Sequence, residues 1–237
     1  MKLCKADLVR MGLFLLFLVA TVPAFCQRAT LGLDVGEVSD KFAPLPAFNG
    51  VLIDLNGEVT VIKPSAKNGG PAIVAGGELR IPPDTTNHAK EYALFGGVVF
   101  GSHNFSVGVR GEVRKIYMPP ATLEGQVFNR SNMELFELPL EIKYKFGSAR
   151  RAFISATGEP EFTPRFKQSP LASVSLPNPT FDYGYMVRGT VGYNFGKWYV
   201  KGNYESRYFK FAQGFGNPNS LYNWKSNVIT GGVGLNF

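Results

Sequence analysis

The sequence predicts an all-β chain, closed into an antiparallel barrel whose strands cross a membrane. Three observations predict it. An N-terminal segment is laid out like an export signal, apolar and polar residues alternate with a period of two along most of the rest, and no long apolar stretch follows residue 27. In hydrocarbon each unpaired peptide group costs several kcal/mol, roughly, so a chain crosses either as helices or as a sheet without edges. A membrane helix needs about 20 apolar residues, whereas a barrel strand needs about 9–11.

The first residues differ from the others. Lys2, Lys5 and Arg10 make a basic start, and an apolar run follows from Met11 to Ala24. That run is too short for a spanning helix and reads as a signal peptide over 1–26, cut after Ala24 or after Cys26. Phe25 stands where a lipoprotein signal carries a small residue, which argues against lipidation of Cys26. The only cysteines are Cys4 and Cys26, so cleavage after Cys26 leaves residues 27–237 without a disulfide framework or a thiol catalyst. The chain carries +7, and removing three basic groups and Asp7 leaves +5. No basic tract or nucleic-acid motif accompanies that charge, so no nucleic-acid partner is expected.

Ten segments show the alternation. Leu31, Leu33 and Val35 oppose Gly32, Asp34 and Gly36. Val51, Ile53, Leu55, Val59 and Val61 oppose Leu52, Asp54, Asn56, Glu58 and Thr60. Ile73, Ala75, Leu79 and Ile81 oppose Val74, Gly76, Glu78 and Arg80. Glu91 to Phe100 is apolar on both faces at its middle, leaving its facing open, and Gly101-Ser102-His103-Asn104 turns it into a return strand. There Phe105, Val107, Val109 and Val113 oppose Ser106, Arg110, Glu112 and Arg114. The clearest case is 135–146, with Phe136, Leu138, Leu140, Ile142, Tyr144 and Phe146 against Glu137, Pro139, Glu141, Lys143 and Lys145. A turn at 147–150 leads to 151–162, where Ile154 and Phe162 oppose Ser155, Thr157, Glu159 and Glu161. Segments 183–195 and 198–209 are joined at Gly196-Lys197, and 228–237 ends on Phe237.

Ten strands are expected, or eight if the first two segments form an extension. Short links at 101–104, 147–150 and 196–197, with a somewhat longer one at 62–70, fall on the periplasmic side. Those at 38–50, 82–90, 118–134, 163–182 and 210–227 fall outside, and four of these five are long. That asymmetry marks outer-membrane barrels. The apolar face ends in aromatics (Tyr144, Phe146, Tyr183, Tyr193, Phe195, Trp198 and Tyr208), which suit interface girdles, so it faces lipid. The polar face then lines the lumen with Arg110, Glu112, Arg114, Glu137, Glu141, Lys143, Glu159, Arg188, Lys201, Glu205 and Arg207. Pairing of Arg110, Arg114 and Arg188 with Glu137, Glu141 and Glu205 is expected to form a structural network.

Glu137-Leu-Pro-Leu-Glu-Ile-Lys-Tyr-Lys-Phe146, Phe181-Asp-Tyr-Gly184 and the strand ending Gly231-Gly-Val-Gly-Leu-Asn-Phe237 carry a likeness. The chain resembles the small outer-membrane β-barrel proteins of Gram-negative bacteria, most of all the barrel family frequent in acidobacterial-type genomes. The resemblance implies an outer-membrane location and periplasmic chaperones. It also implies an insertion machinery that reads the last strand, where Ile229, Val233, Leu235 and Phe237 match its pattern and Gly231 departs from it.

The function expected is non-enzymatic: an envelope structural protein or a narrow passive pore, monomeric, set in lipid and lipopolysaccharide, with no cofactor and no metal. A second reading is surface adhesion through loops 163–182 and 210–227, where Phe211, Phe215, Tyr222 and Trp224 either recognise a ligand or pack the barrel mouth. A third is a membrane-embedded hydrolase. It is disfavoured because the only histidines, His88 and His103, lack a serine–carboxylate frame, although Glu159 and Glu161 share a face.

Overall fold

The computed structural model describes residues 28–42, 47–62, 71–84, 88–102, 104–118, 122–123, 126–127, 130–169, 181–211 and 222–237. The expected export segment, His103 and Phe215 lie outside the described residues. The long strands are β1 (Arg28–Phe42), β2 (Ala47–Ile62), β3 (Ala72–Ile81), β4 (Lys90–Gly101) and β5 (Phe105–Met118). A two-residue pair, β6 (Thr122–Leu123) and β7 (Gln126–Val127), forms a separate ribbon in the next link. Then come β8 (Arg130–Glu137), β9 (Leu140–Phe146), β10 (Ala152–Ser169), β11 (Phe181–Asn194), β12 (Trp198–Phe211) and β13 (Tyr222–Asn236).

Each long strand pairs antiparallel with its neighbours in sequence, and β1 pairs with β13, so the sheet closes. The ring is pinned at its ends by Phe237 N–H donating to Ala29 O at 2.8 Å and Ala29 N–H donating to Phe237 O at 3.2 Å. β8 and β9 are one crossing. Glu137 faces Glu112 and Leu140 faces Val109 in a single register on β5, and the interruption falls at Leu138-Pro139. Proline has no N–H to give the ladder, which breaks the strand there. The wall is therefore a closed barrel of ten crossings.

The outer-end links are shorter than the alternation suggests. β1 and β2 run on to leave 43–46 between them, β10 and β11 leave 170–180, and β12 and β13 leave 212–221. At these strand ends apolar and aromatic residues enter both faces, which blurs the period while the backbone ladder continues. At the other end β9 and β10 are joined through 147–151 and β11 and β12 through 195–197, both tight turns. Gly147 and Gly196 take positive φ of 79° and 98°, and Asn194 Oδ1 accepts from Gly196 N–H at 2.7 Å.

Outward positions are apolar, among them Leu33, Val35, Leu94, Val113, Ile142, Val191, Ile229, Val233 and Leu235, all exposed. An aqueous protein would not leave so continuous an apolar belt uncovered. Aromatics bound the belt on both sides. Phe195 stacks on Trp198 at 4.0 Å near the tight turns, while Tyr183 and Tyr185 meet Tyr208 at 6.0 and 5.7 Å near the outer end. From Trp198 to Tyr208 the vertical span is roughly 25 Å at a strand rise of ~3.3 Å and a tilt of ~40°, the height of such a belt. Among the described residues no helix is long and apolar enough to cross a membrane. The facing of β4, open from sequence, is settled: Glu91, Ala93 and Phe95 point inward, and Tyr92 and Leu94 outward.

The seam between β1 and β13 is glycine-rich on its lumen side for want of room. A Cβ added at Gly232 would overlap Asp34 Oδ1 and lie 2.6 Å from the Leu33 carbonyl, whereas nothing lies within 4 Å of one added at Gly231, on the lipid side. Gly232→Val is expected to destabilise the barrel by about 1–3 kcal/mol, the usual cost of overpacking, and Gly231→Val to be tolerated. Urea unfolding of both variants in detergent micelles checks this, and equal stability of the two would contradict the packing described.

Candidate functional site

The inward side chains stack in three layers. Nearest the tight turns lies a polar layer around Asp34 of β1, which is buried. Asp34 Oδ2 accepts from Asn56 Nδ2 at 3.0 Å and Asn203 Nδ2 at 3.2 Å, and Lys201 Nζ is 2.9 Å away. Asn203 also receives a hydrogen bond from the Thr190 hydroxyl at 2.9 Å and donates to Thr230 Oγ1 at 3.1 Å.

The middle layer is a charge network. It is built where inward positions of adjacent strands carry Asp, Glu or Arg in register. Arg114 reaches four acids: Glu137 at 3.0 Å, Glu91 at 2.9 Å, Glu78 at 2.8 Å, and Glu112. Arg80 crosses the lumen to hold both oxygens of Glu205 at 2.6 Å, with Glu78 at 3.0 Å and Asp54 at 3.4 Å. Arg207 pairs with Glu91 at 2.8 Å and Glu161 at 3.1 Å, and Glu159 lies 4.0 Å off. Arg188 donates to Glu205 at 2.8 Å and Glu78 at 3.1 Å. Below them Arg110 bridges Glu58 at 2.7 Å and Glu141 at 2.8 Å and lies over the Phe95 ring, while the Lys143 ammonium sits 4.4 Å over Phe153. Arg114 and Arg207 side chains are 1 % exposed and Glu137 is 0 % exposed, so the centre of this layer is closely packed, while Arg188 at its margin is 26 % exposed.

Every lumen residue named from the sequence is thus inside the barrel, and the three arginines meet Glu141, Glu137 and Glu205 respectively. The sequence reading did not single out Asp34, Asp54, Glu78, Arg80 and Glu91 for the network. Their alternation put them on a polar face or left the face open, but their partners are up to 169 residues away and are set by how the sheet closes. Taking a charged pair out of water costs about as much as the attraction returns, so the intact network adds little net stability; removing one member leaves a bare buried charge.

The third layer, at the outer end, is apolar. Phe209 stacks on Trp224 at 5.0 Å, and Phe181 meets Phe209 and Phe211 at 6.0 Å each. Ile116, Met133, Leu135 and Ala89 complete the cluster. Phe211 and Trp224 are therefore not displayed on a loop: they are 1 % and 0 % exposed, packing the barrel mouth because the inward parity of Glu205 and Arg207 continues through Phe209 and Phe211. Tyr222 begins β13, and its side chain, like Phe215, lies outside the described residues.

His88, in the link between β3 and β4, is buried beside this layer. Its Nδ1 is 3.1 Å from Asp40 Oδ2 of β1, and the ring occupies the space a Cβ would need at Gly50 of β2. The hydrogen bond to Asp40 raises the His88 pKa above 6.5 against the opposing effect of burial, and the Asp40 charge, Asp84 and the Asn49 backbone add to the rise. His88 is thus a clasp tying the β3–β4 link to the β1–β2 hairpin.

No protein-family model matches the chain, and no curated protein does. Solved structures do. The outer membrane protease OmpT of Escherichia coli superposes with a TM-score of 0.51 at 11 % identity, over 89 % of this chain and 97 % of that one. Neisserial surface protein A aligns with a TM-score of 0.42 at 11 % identity, over 88 % and 97 %. The porin KdgM aligns at 0.36 and 11 %, over 87 % and 99 %. At such identity the likeness concerns fold alone. The closed wall and the apolar belt bounded by aromatics are those of a barrel of the outer-membrane type.

Two predictions follow from the geometry. Arg114→Met is expected to cost roughly 3–5 kcal/mol by stranding Glu112 and Glu137 and taking one of several cations from Glu78 and Glu91, and Arg188→Leu less, because the Arg188 side chain is 26 % exposed. Both would lower the temperature at which the folded band converts to the unfolded band on detergent gels, and unchanged temperatures would show that losing either arginine strands no buried charge. For His88, a raised folded pKa means that the clasp is fully formed below the unfolded value near 6.5 and is lost as pH rises through the folded value. Proteolytic nicking of the β3–β4 link should increase over that window, and His88→Gln should flatten the dependence.

Proposed function

We propose that the chain is a closed, non-conducting barrel, an envelope framework that carries its outer face and passes no solute. The observation that supports this most is the filled lumen. A layer of arginine–carboxylate contacts spans the cross-section, and an aromatic layer covers it at the outer end. A narrow passive pore, the other form of the same expectation, would need a wet path between these side chains.

The reading is non-enzymatic. A general base needs a free ring nitrogen near its operating pH. Asp40 holds Nδ1 of His88, the Asn49 backbone also hydrogen-bonds the ring, and Nε2 packs against β2 at Gly50, so the nitrogen that Asp40 leaves open faces protein and not a substrate space. Adhesion through the outer loops loses two of its four named aromatics, since Phe211 and Trp224 pack inward. The chain is read as a monomer in lipid and lipopolysaccharide, inserted through its last strand. Ile229, Val233, Leu235 and Phe237 stand exposed on the lipid side of β13 and at its end, as a recognised strand requires. The finer kinship with barrels of acidobacterial-type genomes rests on the three sequence segments quoted above.

Single-channel recording in planar bilayers tests the proposal. The purified barrel is expected to give no discrete conductance steps above bare lipid, and reproducible, ion-selective steps would reject it.

A further inference from the structure

We propose that Glu112, Glu137 and Glu159 together bind one hard divalent cation, of the calcium, magnesium or manganese class, inside the barrel. Glu112 and Glu137 are directly opposed on β5 and β8, and Glu137 is opposed again by Glu161 on β10, two residues from Glu159. Like charges at facing positions repel, so this row is unfavourable unless something positive is shared among them. One carboxylate oxygen from each of Glu112, Glu137 and Glu159 lies within 4.8 Å of the others, a spacing at which one ion touches all three.

A separate observation points to a ligand. Glu137 Oε1 and Glu159 Oε1 are buried and have no hydrogen-bond donor. Burying a carboxylate oxygen without a donor is costly, and native interiors rarely do it. The neighbouring arginines do not meet the need. Arg114 is spread over Glu137, Glu91, Glu78 and Glu112. Arg207 Nη2 stands 4.0 Å from Glu159 Oε1, beyond hydrogen-bond reach, while its other nitrogens turn to Glu91 and Glu161. Four carboxylates here, with Glu161, face two guanidiniums, and those two are also shared with acids outside the cluster. The deficit is at least two charges, what one divalent ion supplies. A proton held between Glu137 and Glu159 would supply one.

The donor set selects the ion. All three ligands are carboxylate oxygens, with no imidazole or thiolate, which suits a hard cation and not zinc or copper. Because the oxygens come from three adjacent crossings, the ion would clamp β5, β8 and β10 side by side, and its binding energy would enter the stability of the folded barrel.

The test refolds the chain from urea into detergent micelles, with EDTA or with millimolar Mn2+. It reads bound metal by elemental analysis after desalting, and stability by the gel-shift temperature. Wild type and Glu37→Gln, which alters an outward carboxylate, are expected to retain about one ion per chain and to shift at lower temperature when folded in EDTA. Glu159→Gln is expected to bind about tenfold more weakly or worse and to shift at the same temperature with and without the metal. No retained ion in wild type, together with a higher shift temperature for Glu159→Gln, is what proton sharing gives and would overturn the proposal. Equal retention by wild type and Glu159→Gln would overturn it too. If Glu159→Gln does not fold, Glu112→Gln is judged by the same two readings.

Discussion

The structure depends on one constraint: a peptide group in hydrocarbon must find its hydrogen-bond partner within the protein. A sheet meets it only by closing, so the pairing of β1 with β13 is the condition for the other pairings to be tolerable in a membrane. The seam joins residues at opposite ends of the described chain over thirteen facing positions from Thr30 to Phe42. Its lumen side carries Gly32, Gly232 and Gly234, which let Asp34 and Tyr199 occupy the space next to them. Closure and lumen packing are thus one problem, because side chains that fill the centre take their room from the wall.

Closing ten crossings gives a lumen wider than the eight-stranded one that side chains just fill. The chain fills it with long side chains of opposite sign in the middle and with aromatics at one end. Arginine suits the first task, since its planar fork serves several carboxylates at once: Arg114 meets four and Arg80 meets Glu205 with two nitrogens. The aromatics serve where the strands reach toward the outer water, shielding the charged layer from it and so strengthening each contact beneath.

Much of this was legible from residue order because a strand's side chains alternate without exception along a continuous ladder. The facing of β9 could be read from Leu140 to Phe146, and that of β12 from Lys201 to Phe209, and both hold. Where a strand is apolar on both faces, as β4 is near Leu94 and Phe95, alternation carries no contrast, and the inward role of Glu91 could not be read. Strand ends were misjudged for a related reason. Past Phe209 and before Val228 the apolar residues enter the inner face to cap the lumen, so the pattern fades while the hydrogen bonds go on. Contacts such as Arg80 with Glu205 lie beyond any such reading, because which inward residues meet across the ring depends on the stagger at closure. His88 with Asp40 is of the same kind, a contact between chain segments 48 residues apart.

Two prolines, Pro139 and Pro160, occupy adjoining crossings where Glu137 faces Glu161 and Leu140 faces Gly158. Neither has an amide hydrogen, so both strands lose a rung of the ladder over the same short stretch. No donor is left bare in the lipid by this, since Arg110 N–H from the far side still reaches the Pro139 carbonyl at 3.0 Å. What is lost is stiffness. The rung missing at Pro139 is on the side of β5, as the Arg110 bond shows, so the crossing that carries Glu137 is less firmly fastened to that neighbour than an all-amide strand would be.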